Sequence, residues 1–102
     1  MKSIIENEFD EHTKVINSTI ELVIDDIESA ANICIECLKK GNKILIFGNG
    51  GSAADAQHIA AEFIGRFKKE RNSLPAVSLT TDTSIITSIS NDYSFDNIFS
   101  RQ

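Results

Sequence analysis

The sequence predicts an α/β fold in which a pair of N-terminal helices, over residues 1–40, precedes a doubly wound parallel sheet of strand-loop-helix units over residues 43–102. Three observations carry this expectation. Apolar residues recur at helical spacing at Ile5, Phe9, Val15 and Ile16, and then at Val23, Ile27, Ala30, Ala31, Cys34 and Leu38. A short, nearly continuous apolar run, Lys43 to Phe47, leads into Gly48-Asn49-Gly50-Gly51-Ser52, and an alanine-rich helical stretch follows to about Gly65. A second apolar run, Leu74 to Leu79, is followed by another helical pattern, so the order is βαβα.

Taken in order, residues 2 to about 18 and 22 to 40 read as two helices paired as a hairpin. The second stops at Lys39, Lys40 and Gly41, a basic last turn followed by a residue able to take positive φ. Lys43 to Phe47 has the composition of a strand buried on both faces of a parallel sheet. The second strand carries Pro75 near its start. After it, Thr81 or Asp82 is placed to cap a helix running to about Ser90. Lys68 to Ser73 is a charged surface turn. Arg101-Gln102 falls in the opening of a further helix, and two strands do not make a sheet that stands alone. The expectation is the N-terminal half of one domain, with its sheet incomplete in this chain.

The composition narrows the function. At 102 residues, 41% hydrophobic and 25% charged, the chain builds one core at most. A net charge of −5 repels nucleic-acid backbones and anionic membrane faces, so neither is an expected partner. No apolar run approaches the roughly eighteen residues of a membrane span, and Met1 to Asp10 does not read as a leader, so a cytoplasmic location is expected. A phosphorylated ligand would have to be held by local donors. Cys34 and Cys37 form a C-x-x-C spacing, but deep in a helical pattern, and they read as buried, inert thiols.

The chemistry-bearing residues cluster after the first strand. Gly48 to Ser52 joins that strand to a helix N-terminus, where backbone N–H groups and the helix dipole favour an anionic or oxygen-rich ligand, with Asn49 and Ser52 adding side-chain donors. The same residues also read as a tight turn with a serine N-cap. The loop has neither the lysine of a P-loop nor the spacing of a dinucleotide fingerprint. His58 and Glu62, four residues apart, project from one helix face and could share a metal, or could make a surface hydrogen bond. Arg66 lies four residues further on, suited to a phosphate or sugar hydroxyls, or to a salt bridge with Glu62. Asn91-Asp92 closes the helix after the second strand, at the sheet edge where open α/β folds bind ligands, and is also a common turn pair. His12 reads as structural or exposed.

Together these residues form a recognisable set. The stretch GNGGSAADAQHIAAEFIGRFKKER, followed by LTTDTSIITSISNDYSFDNIFSRQ, resembles the sugar isomerase (SIS) domain, a flavodoxin-like fold, of the phosphoheptose isomerase family. The likeness runs from about Cys34 to Gln102. It implies an aldose-ketose isomerase that converts sedoheptulose 7-phosphate to D-glycero-D-manno-heptose 7-phosphate, a precursor of heptose in bacterial lipopolysaccharide and capsule. It implies that Asn49, Gly50, Gly51 and Ser52, with Asn91 and Asp92, contact the open-chain sugar while Arg66 orients it. It further implies that His58 and Glu62 are zinc ligands, that Glu62 moves the proton between C1 and C2, and that the protein is a homotetramer. In that family a glutamine, a second histidine and a Ser/Thr-rich phosphate loop come from the C-terminal half.

The competing expectation is a non-catalytic SIS-domain protein that binds the replication initiator. In that group the positions of His58 and Glu62 hold residues unable to ligate zinc, so retention of both favours the enzyme. A sugar-phosphate sensing module would require a partner domain.

Overall fold

The computed structural model describes residues 1–102, in the order helix α1 (Lys2–Lys39), strand β1 (Ile44–Ile46), helix α2 (Gly51–Ile64), strand β2 (Ala76–Ser78), helix α3 (Thr83–Asp92) and a 3-10 turn, Phe95–Asn97. Packing divides the chain into two units, Met1–Glu36 and Cys37–Gln102.

The N-terminal region is one helix of 38 residues, not the expected pair. The reason is local. No glycine or proline occurs between Lys2 and Lys39, so nothing breaks the hydrogen-bond ladder at residues 19–21. The threonines near this point bond within the helix. Thr13 and Thr19 donate their hydroxyls to the carbonyls of Phe9 and Val15, four residues back, at 2.8 Å each. None of the helix's residues is buried within this chain. Its apolar stripe, Ile5, Phe9, Ile16, Ile20, Val23 and Ile27, is exposed.

Termination follows the sequence reading. Gly41 has φ 76, its N–H bonds the Leu38 carbonyl at 3.0 Å, and the Asn42 N–H bonds the Cys37 carbonyl at 3.1 Å. This is the paired closure of a Schellman motif. Cys37 and Cys34 are half-buried rather than buried, and the Cys37 thiol donates to the Lys43 carbonyl at 3.5 Å.

In the second unit β1 and β2 pair in parallel, with Ile44 opposite Ala76, Leu45 opposite Val77 and Ile46 opposite Ser78. Helix α2 packs on both strands. Ala56 and Ala60, one turn apart, are its buried residues, and their small side chains let the helix backbone lie close to the sheet. With Ala76 and Ile98 they make up the buried apolar core. The expectation that Lys43 to Phe47 is buried on both faces is not met in this chain: Leu45 and Phe47 remain 49% and 58% exposed. Alternate strand residues face opposite ways, and α2 covers one face alone. Helix α3 begins as the sequence indicates. The Asp82 carboxylate accepts from the Ile85 N–H at 2.9 Å, and the helix runs two residues beyond Ser90 to Asp92.

Candidate functional site

Because the strands are parallel and in register, the loops leaving β1 and β2 lie at the same sheet edge. The loop after β1 turns at Gly48 to Gly50. A Cβ on Gly48 would lie 2.7 Å from the Ser52 Cβ and 2.9 Å from the Ser52 carbonyl oxygen, so this position admits only glycine. Gly50 is the N-cap of α2, with φ 57 and no side-chain cap. The serine N-cap is therefore corrected: Ser52 is the second residue of the helix, and its N–H bonds the Asn49 carbonyl at 3.1 Å. A Cβ on Gly51, by contrast, would meet open space. Asn49, Gly50, Gly51 and Ser52 are all exposed. The uncapped, positive end of α2 thus faces outward beside two polar side chains, an arrangement that suits a ligand rich in oxygen.

Hydrogen bonds tie this end of α2 to the segment leaving β2. The Thr80 hydroxyl bonds the Ala53 carbonyl at 3.2 Å and the Ser78 hydroxyl at 2.7 Å, and Gln57 donates to Thr80 at 3.4 Å. Gln102 donates to the carbonyls of Leu79 and Ile98, and the Phe47 and Phe99 rings stand 5.0 Å apart. None of these ties was marked by a sequence motif.

The structure brings His58 and Glu62 together, with Nε2 and Oε1 3.3 Å apart. Two donors sharing a tetrahedral zinc at about 2.0–2.1 Å are separated by roughly 3.3 Å, so the pair matches one edge of such a site. No third His, Cys, Asp or Glu joins them. A tetrahedral zinc takes four ligands, so these two side chains are at most half of such a set, and the same separation is that of a hydrogen bond. The His58 side chain is 75% exposed and that of Glu62 39%, so their direct attraction adds little stability and the pair is open to ligand.

Arg66 does not pair with Glu62. Its Nη1 lies 2.8 Å from Glu70 Oε2, within the turn that follows α2. Asn91 and Asp92 are exposed and bond each other, Asn91 Nδ2 donating to Asp92 Oδ1 at 2.8 Å. They close α3, which does not pack on α2, and so stand apart from His58 and Glu62 in this chain. His12 is exposed.

An open depression of about 510 Å³ lies beside the His58–Glu62 pair. Ile59, Phe63, Phe67 and Leu74 give it apolar walls, and His58, Glu62 and Arg71 supply its polar groups. Arg71 was read from sequence as part of a charged surface turn. Its guanidinium instead turns back onto the end of α2, Nη2 reaching the Glu62 carbonyl at 2.7 Å and Nη1 the Phe63 carbonyl at 2.8 Å. The available signal was an arginine shortly after a helix whose last carbonyls lack partners.

With this geometry in place, comparison with known proteins identifies the class: the SIS domain family profile matches residues 9–102, and the chain belongs to that family. Among relatives, the chain is 56% identical over 102 residues to phosphoheptose isomerase of Aliarcobacter butzleri, spanning 100% of this chain and 54% of that protein. It is 60% identical over 94 residues to phosphoheptose isomerase of Aquifex aeolicus, spanning 92% of this chain and 49% of the relative. Among solved structures, a phosphoheptose isomerase from Francisella tularensis superposes with TM-score 0.90 at 35% identity, covering 98% of this chain and 52% of that one. The Neisseria gonorrhoeae phosphoheptose isomerase gives 0.87 at 42% identity, covering 99% and 52%. The chain spans about half the length of the relatives it matches.

Proposed function

We propose that this chain is the N-terminal half of a single SIS domain in an aldose-ketose isomerase that converts sedoheptulose 7-phosphate to D-glycero-D-manno-heptose 7-phosphate. The observation that carries the reading is the His58–Glu62 pair, 3.3 Å apart on the helix that leaves the glycine loop, in a chain 56% identical to a relative named for this activity. The competing role, binding of the replication initiator without catalysis, gives no reason to keep that pair.

In this reading the exposed end of α2, with Asn49, Gly50, Gly51 and Ser52, holds the oxygens of the open-chain sugar, and Asn91 and Asp92 contribute from the end of α3. Arg66 exchanges its bond to Glu70 for the substrate and orients it. Glu62 removes a proton from C1 of the ketose and returns it to C2 through an enediol, while a second acid-base group from the remaining half takes the O1 hydroxyl proton and delivers one to O2, so that the carbonyl passes from C2 to C1. Zinc held by His58 and Glu62, together with ligands from the remaining half, would supply positive charge to the developing oxyanion. The protein would act in the cytoplasm as a homotetramer, in the supply of heptose to lipopolysaccharide or capsule. The uncovered apolar stripe of α1 supports association of subunits through that helix.

The test is incubation of the full-length protein with sedoheptulose 7-phosphate in deuterated water, followed by NMR. Expected is an aldose phosphate carrying solvent deuterium at C2. A protein that yields neither product nor exchange is not this isomerase.

A further inference from the structure

We infer that Arg71 is a positioning residue for Arg66. This rests on the isomerase reading, in which Arg66 orients the sugar phosphate, and it deepens that reading.

The C-terminal end of a helix leaves backbone carbonyls without intrahelical partners. Helix α2 ends at Ile64, and its last regular bond runs from the Gly65 N–H to the Ala61 carbonyl at 2.8 Å. The carbonyls that follow have no helical partner. One guanidinium serves three of them: Arg71 Nη2 donates to Glu62 at 2.7 Å, and Nη1 to Phe63 at 2.8 Å and to Gly65 at 3.3 Å. Nη1 also donates to the Asn72 carbonyl at 3.0 Å. Arg71 thereby joins Gly65 to Asn72, closing the loop from both ends.

Arg66 is the first residue inside that loop. It lies beyond the helix, so the helix ladder does not fix its backbone. Its side chain meets Glu70, also inside the loop, and the residues from Arg66 to Glu70 are all exposed. Apart from the short turn bond from Lys69 to Phe67, what anchors this segment is the half-buried guanidinium of Arg71, helped by the Leu74 N–H bond to Phe63 at 3.0 Å. Two nitrogens in a planar fork reach carbonyls on both sides of the turn, whereas a lysine ammonium is a single point on a flexible stem. Glu62 is less dependent on Arg71, since it sits within the helix and is held by the ladder below it.

The experiment is a double-mutant cycle in the full-length protein: Arg71→Ala and Arg71→Lys, each with and without Arg66→Ala. Misplacing a substrate-orienting group by a fraction of its reach is expected to raise KM for the sugar phosphate about tenfold in Arg71→Ala, with a smaller fall in kcat and only partial recovery in Arg71→Lys. Because the effect passes through Arg66, adding either Arg71 change to Arg66→Ala is expected to alter KM by less than about twofold. A residue that only stabilises the fold would lower the melting temperature and leave KM unchanged, or cost the same factor in both backgrounds. Either result overturns the role given to Arg71 while leaving an active isomerase. No turnover by the unmodified protein would instead overturn the isomerase reading, and this inference with it. Should Arg71→Ala fail to fold, Arg71→Lys completes the same cycle.

Discussion

Glu62 and the loop glycines carry predictions that separate chemistry from architecture. Replacing Glu62 with glutamine keeps the side-chain shape and one ligand oxygen but removes the group that accepts a proton. In full-length protein whose zinc content is checked by elemental analysis, turnover is expected to fall at least about a hundredfold, with sugar affinity changing much less. Near-normal deuterium exchange in that variant would assign the proton transfer to another group. The glycines divide on steric grounds. Gly48→Ala places a Cβ 2.7 Å from that of Ser52, and overpacking of this kind costs about 1–3 kcal/mol, so the denaturation midpoint is expected to drop. Gly51→Ala meets open space in the first turn of a helix, where alanine is if anything favoured by about 0.5–1 kcal/mol. Stability should hold while sugar binding weakens, because the added methyl enters the space left for the ligand. Loss of stability in Gly51→Ala with binding intact would reverse that assignment.

Two helix ends were legible in the sequence, because they are set by residues a few positions apart. Gly41 closes α1 and Asp82 opens α3, as their residue types indicate. Asp82→Ala removes the one side-chain bond to the Ile85 N–H and is expected to cost about 1 kcal/mol in denaturant unfolding of the full-length protein, with Asp82→Asn retaining most of it. Equal losses in both variants would point to the charge rather than the cap. The two helices expected over residues 2–18 and 22–40 are one helix, Lys2–Lys39. Thr19 bonds its own helix, and without glycine or proline the ladder simply continues.

For the whole chain, the decisive fact is how little is buried. Three alanines and Ile98 form the core, no residue of α1 is fully buried, and Leu45, Phe47, Ile59, Ile64 and Phe67 remain about half exposed or more. Burial of a large aliphatic side chain contributes about 1.5–3 kcal/mol, and few here make that contribution. The 102-residue chain on its own is expected to melt over a broad temperature range by circular dichroism and to self-associate, as exposed apolar surface does. A sharp, cooperative transition of a monomer would contradict this.

The sequence by itself determined the parallel α/β order, the glycine loop, the helical face shared by His58 and Glu62, the stop of α1 at Gly41 and the start of α3 at Asp82, since each depends on periodicity or on neighbours within about four residues. Tertiary structure alone decided that Arg71, nine residues from Glu62, folds back to hold its carbonyl, that Thr80 bridges to Ala53, and that Gln102 reaches the Leu79 carbonyl. Those contacts form only when the chain reverses direction and brings separate backbone groups within hydrogen-bonding or van der Waals distance, and residue spacing along the chain does not encode that approach.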